Sequence, residues 1–304
     1  MPENEPNEDK LFLERYQNDR KLHRQDLIKQ IEKITQRRLI VYTAKFGHPA
    51  AAINRDDIPI IEDLLHTISS SGAKGIDLMI HSSGGELGST ERILYMIRKR
   101  FRNFRVIVPN TAKSAATILA LGSDRILMGP TSELGPIDPQ IIKVLPNGNT
   151  VLIPAYSLIN TLEGIREKVE KDAAASQIYL PILSNVEPEM IDICEKTIAE
   201  SKEIAETWLK RYMLKRHPKK AKAIIDDLGS TKRFKTHGKL ISGEEVKKMG
   251  LNVMILNDKQ PLWKLMWELY YRSELLIRDD PATVKLFETN DSSINIRAIQ
   301  IQPK

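Results

Sequence analysis

Cysteine is almost absent from this chain: Cys194 stands alone among 304 residues. No intramolecular disulfide can form, and the composition fits a reducing compartment. Long apolar runs are missing as well. No stretch approaches the roughly 20 residues a membrane-spanning helix needs. The opening MPENEPNEDK is polar and acidic, without the apolar centre of a secretory leader. These absences lead to the expectation of a cytoplasmic protein with no membrane contact. Glycine and proline, at 15 and 16 residues, are too few for a collagenous or low-complexity chain, and no repeat recurs at solenoid periods.

What is present is ordinary for a soluble globular protein: 41% hydrophobic and 28% charged residues. The net charge of +6 is unevenly spread. Basic clusters fall at residues 215–222 and 232–235. Runs of this kind are ordinarily solvated helix ends, so nucleic acid is not among the expected partners.

Along the chain, residues 10–37 lack proline and glycine and carry a sparse apolar stripe, which predicts one long helix. Strand and helix patterns then alternate. Strands are predicted at 39–42, 76–80, 105–108 and 125–128, and helices at 56–68, 86–101 and 114–121. This alternation predicts βαβ units and a largely parallel sheet, an α/β core. A strand follows at 150–153, then mostly helix over 155–228 with breaks near Pro181 and Pro218. A short helix ends at Gly250. Residues 262–277 place Trp263 and Trp267 at helical spacing, a stripe that suits a core or a subunit interface. The organisation expected is an N-terminal helical extension (1–37), a main domain (38–255) and a C-terminal aromatic helix and tail (256–304).

The chemistry is expected at two loops. If the strands ending at His81 and Pro109 lie side by side, with the 86–101 helix as their crossover, their following loops share one sheet edge. Open α/β sheets build their sites there. Gly84-Gly85 and Ser114 would then meet despite lying 30 residues apart. Paired glycines let backbone N–H groups approach a ligand without Cβ obstruction. Ser114 sits at a predicted helix start, where unpaired N–H groups favour a developing oxyanion. A tetrahedral intermediate would take hydrogen bonds from the Gly84 and Ala115 N–H groups, with Gly85 completing the turn. Taken singly, a Gly-Gly turn and a helix-capping serine are commonplace.

At these residues the sequence resembles the serine dehydrogenase proteinase family, a branch of the Clp-fold serine peptidases related to signal peptide peptidase A. The segments that carry the resemblance are IDLMIHSSGGELGSTERILYMIRK (76–99), VIVPNTAKSAATILALGSDRILMGPTSELGPIDPQ (106–140) and FKTHGKLISGEEVKKMGLNV (234–253). The resemblance implies a ClpP/crotonase-like core and homo-oligomerisation. It also implies hydrolysis of protein or peptide substrates without metal, cofactor or nucleotide in this chain. Ser114 matches the family nucleophile, and Gly84 and Gly85 its oxyanion-hole turn. Relatives commonly carry a proline before these glycines; here Ser83 stands there.

A serine hydroxyl needs a partner to take its proton, and several residues are candidates. Lys168 and Lys171 lie at the distance expected from signal peptide peptidase A relatives, Asp138 follows in the matched segment, and His237 lies in the matched tail. Lys113 adjoins the nucleophile and His81 the glycine turn. The absence of an obvious base leaves a second reading open, a catalytically silent assembly or binding module of the same fold. Acyl-CoA chemistry on that fold is a third, against which a serine at position 114 argues. The terminal helices could seal a chamber or recruit an adaptor.

Overall fold

The computed structural model describes residues 21–144, 148, 150–230 and 239–298. His237 and residues 10–20 of the predicted 10–37 helix lie outside them. The chain forms two compact units, Met1–Leu134 with Ser242–Lys304, and Gly135–Ile241.

The first unit opens with α1 (Lys21–Thr35) and β1 (Arg38–Ala44). The left-handed Gln36 (φ 54°) ends the helix. Next come α2 (Asp57–Ser70), β2 (Gly75–His81), α3 (Leu87–Arg100), β3 (Asn103–Val108), β4 (Thr111–Ala112), α4 (Ala115–Leu121), β5 (Arg125–Met128) and β6 (Glu133–Leu134). The second unit contains β7 (Gln140–Val144), β8 (Thr150–Pro154), α5 (Ala155–Lys171), α6 (Ser176–Leu183), α7 (Pro188–Arg211) and α8 (Lys219–Leu228). After β9 (Ile241–Ser242) the first unit resumes with α9 (Gly243–Lys248), β10 (Val253–Ile255), α10 (Pro261–Asp279), β11 (Thr283–Glu288) and β12 (Ser293–Arg297).

In the first unit a seven-stranded sheet runs β10-β5-β3-β2-β1-β11-β12. Strands β10, β5, β3, β2 and β1 are parallel neighbours, and β11 and β12 join antiparallel. The parallel βαβ core expected from the alternating pattern is therefore present. Alternation of side chains sorts the core into two layers. Leu39, Val41, Met79, Ile107 and Leu127 pack with Leu27, Ile28 and Ile31 of α1 and Trp263, Met266 and Leu269 of α10. The aromatic face of α10 is thus taken up by the molecule's own core. On the opposite face, Tyr42 Oη donates to Asp57 Oδ2 at the start of α2 (2.9 Å), and the buried Lys285 of β11 pairs with the same carboxylate (2.7 Å).

In the second unit, β7 and β8 form an antiparallel pair. Ile142, Val144 and Leu152 on it are exposed, as are Ile178, Leu180 and Ile182 of α6. The helical stretch does not break at Pro181, which lies inside α6. Its missing N–H falls in the second turn of a short helix, where only one intrahelical bond is lost. The breaks come at Asp172, whose side chain accepts from the Ala174 N–H, ahead of Pro188, the first residue of α7, and, as expected, at Pro218, which caps the start of α8.

Candidate active site

Two strand ends set the geometry. Beyond β2 the chain runs through Ser82, Ser83, Gly84 and Gly85; beyond β3 it runs through β4 to Ser114 and α4. Two backbone bonds stitch these segments together. The Ser82 N–H donates to Thr111 O (3.0 Å) and the Lys113 N–H to Ser82 O (3.1 Å). Strand β6 lies parallel to β4 on its other side, with Thr111 opposite Glu133.

The loops meet as the sequence led us to expect. Gly84 has φ +104°, and a Cβ there would stand 2.8 Å from Lys113 O, 2.9 Å from Ser114 Cβ and 3.0 Å from Ala115 N. Only glycine permits both the dihedral and the approach. Gly85 is held from the other side. The Ile53 N–H donates to Gly84 O and the Glu86 N–H to Ile53 O, both at 2.8 Å, so tightly that a Cβ on Gly85 would collide with the Ile53 backbone. In a parallel bridge of this kind the N–H of the central residue points away from its partner. The Gly85 N–H is therefore turned away from Ile53, on a residue exposed to solvent.

Ser114 adopts φ 50° and ψ −120° at a sharp strand-to-helix turn. A non-glycine residue in such a conformation costs on the order of 1–3 kcal/mol and persists only where its surroundings impose it. The turn lifts a half-buried hydroxyl out of the chain's path, while Ala115 and Ala116 behind it are fully buried. The Ala115 N–H is the first of α4 and has no carbonyl four residues back within the helix to bond. The Gly84 N–H, by contrast, donates to Ser82 Oγ (3.0 Å). Ser82 and Ile53 shape the site and were not singled out from the sequence; a serine two residues ahead of the glycines was the visible signal for the first.

Among the described residues, Ser114 Oγ makes no hydrogen bond. Of the candidate bases in the first unit, the Lys113 ammonium is buried and pairs with Glu133 (2.8 Å). His81 Nδ1 accepts from the Thr111 N–H (3.3 Å), and burial lowers the imidazole from its ordinary 6.5 to about 4. Its Nε2 faces Glu274 at 3.9 Å, beyond hydrogen-bond reach, and its ring packs against Phe46 and Tyr270. In the second unit Asp138 is buried in the field of Tyr156, whose hydroxyl burial raises. Lys168 is exposed on α5, its ammonium 5.5 Å from the Tyr179 ring centroid. Among the described residues no cluster of His, Cys, Asp or Glu is placed to hold a metal ion, and no helix is long and apolar enough to cross a membrane.

Two uncharacterised proteins of Methanocaldococcus jannaschii are similar in sequence. MJ0137 is 31% identical over 210 residues, 69% of this chain and 63% of its own length. MJ1495 is 29% identical over 195 residues, 64% of this chain and 56% of its own. The chain thus spans less than two thirds of the curated relatives it matches. Among solved structures, ClpP1 from Listeria monocytogenes is 14% identical, with 78% of this chain and 98% of that one covered and a TM-score of 0.41. Residues 9–285 match the family model described as ClpP-like SDH-type serine proteinase, and the chain belongs to that family, with its α/β Clp-type fold.

Proposed function

We propose that this chain is a serine peptidase that cleaves protein or peptide substrates through an acyl-Ser114 intermediate. The observation that carries the reading is Ser114, held at φ 50° on a strand-to-helix turn in van der Waals contact with Gly84. Its Oγ attacks the scissile carbonyl carbon while a base takes the hydroxyl proton. The carbonyl oxygen, now negative, accepts from the Gly85 and Ala115 N–H groups. Gly84, whose N–H already serves Ser82 Oγ, supplies the close approach rather than a donor. Collapse expels the amine, which takes the proton, and water then hydrolyses the ester.

For the base, Lys113 and His81 are engaged elsewhere, and the reading rests on Lys168, Asp138 and His237. Fluorophosphonate labelling tests the whole. Wild-type protein should label at Ser114, Ser114→Ala should not, and replacing the true base should slow labelling while leaving the fold intact. Wild-type protein that is folded and never labels would instead support the silent assembly module, for which the unbonded Ser114 hydroxyl speaks among the described residues.

The same reading includes a cytoplasmic homo-oligomer without metal or cofactor. The exposed Ile142, Val144 and Leu152 of the β7–β8 pair support self-association, since contiguous exposed apolar residues mark interaction surfaces.

A further inference from the structure

We propose that the groove between α2 and α3 is a docking site for an acidic, partly apolar segment of polypeptide, an inference that rests on the peptidase reading for its link to catalysis. The groove starts at Glu86, the residue after Gly85, and is lined by Arg55, Ile58, Pro59, Glu86, Ser89 and Arg92 around a cavity of about 710 Å³. It continues along α3 past Tyr95 and Lys99 into a second cavity of about 370 Å³.

Charge decides what this groove can hold. Its two carboxylates are already engaged: Ser89 Oγ donates to Glu86 Oε2 at 2.7 Å, and Glu62 pairs with Arg100. Three cations are left over. Arg55, Arg92 and Lys99 have no carboxylate within ion-pair distance among the described residues. Arg92 and Lys99 instead flank the face of Tyr95, at 5.8 and 5.5 Å from its ring centroid. Tyr95 is 45% exposed, and Ile58 and Pro59 add apolar wall beside it. Uncompensated cations along an apolar trough attract a chain that alternates carboxylates with apolar or aromatic side chains, and repel a basic one. An extended chain rises about 3.3 Å per residue. A segment lying in this trough therefore enters or leaves beside the turn where the scissile carbonyl is to bind. A substrate with acidic residues a few positions from the cleaved bond would be held by both.

The test uses full-length Ser114→Ala protein and a fluorescein-labelled peptide of alternating Glu and Leu/Tyr, followed by anisotropy. The acidic peptide should bind about tenfold or more tightly than its Glu→Lys counterpart, and more weakly as salt rises. Arg55→Glu with Arg92→Glu should weaken it by about tenfold to a hundredfold, with an unchanged melting temperature. Equal affinity for both peptides, or affinity untouched by the charge reversal, would overturn the proposal. So would a change in sedimenting mass on charge reversal, which would make the groove a contact between copies. A dT oligonucleotide that competes as well as the peptide would reduce the groove to a general anion patch. Binding is read without turnover, so it stands apart from the labelling of wild-type Ser114. Acidic peptide that binds to a protein that never labels sinks the peptidase reading alone.

Discussion

The two units of this chain solve the problem of polar and apolar groups in opposite ways. In the first, several charges go inside in pairs. Lys285 and Asp57 are each about 1% exposed and pair at 2.7 Å, and Arg24 meets the buried Glu288 at 2.9 Å. In the second, apolar side chains stay outside: Ile142, Val144, Leu152, Ile178 and Leu180 are all more than half exposed. A folded unit that buries its ions and holds a serine in a strained turn has been built for rigidity. A unit that leaves branched aliphatics exposed on a two-stranded pair suits the self-association proposed above, because an isolated hairpin is marginal in water.

The sharpest break of that contrast is at Ser114, the proposed nucleophile. Ser114→Ala should lower kcat on any cleaved peptide by about 10⁴-fold or more without lowering the melting temperature, since it removes the group on which the other catalytic residues act. Asp57→Ala comes next. It leaves Lys285 buried without its counter-charge and should cost about 3–5 kcal/mol in denaturant unfolding. Gly84→Ala should cost about 1–3 kcal/mol from the positive φ. It should also slow Ser114 labelling by about 100-fold as the loops part.

Acid should loosen the first unit by a comparable amount. The folded-state pKa of His81, about 4, lies below its unfolded value of 6.5. Unfolded chains take up the proton first, so stability is full above pH 6.5 and falls as the pH drops toward 4, by roughly 3 kcal/mol in all. Glu274, Tyr270 and Phe46 face the ring, and Glu274, raised by burial, acts in the opposite sense in the pH range above its ordinary value. His81→Gln should flatten the dependence in urea titrations. Smallest of all, Ile142→Ser with Leu152→Ser should change the stability of an isolated subunit by less than about 0.5 kcal/mol, yet shift sedimentation toward smaller species.

How much of this was legible depended on whether the signal was local. Strand β5 was read to the residue, and β2, β3 and α3 to within two, because buried parallel strands and amphipathic helices repeat their pattern over short windows. The Gly84–Ser114 meeting followed from one crossover. Strands β11 and β12 were missed: Lys285 and Glu288 look like solvent-facing residues until partners 228 and 264 positions away are known. The role of the Gly84 N–H was likewise hidden, since nothing in Ser82 announces that its hydroxyl turns back onto its own loop. A base, which the peptidase reading requires, was not legible for the same reason: side chains near Ser114 in space need not be near it in sequence.

The pair of backbone hydrogen bonds between Ser82 and the Thr111–Lys113 segment has a mechanical consequence. The Ser114 turn and the glycine turn are fastened to one another through a single residue, Ser82, so displacing one loads the other. Whatever strains one loop, whether an inhibitor wedge, a lost acceptor at His81 or a bulky residue at position 84, misaligns both halves at once, and activity should fail as a unit rather than by degrees.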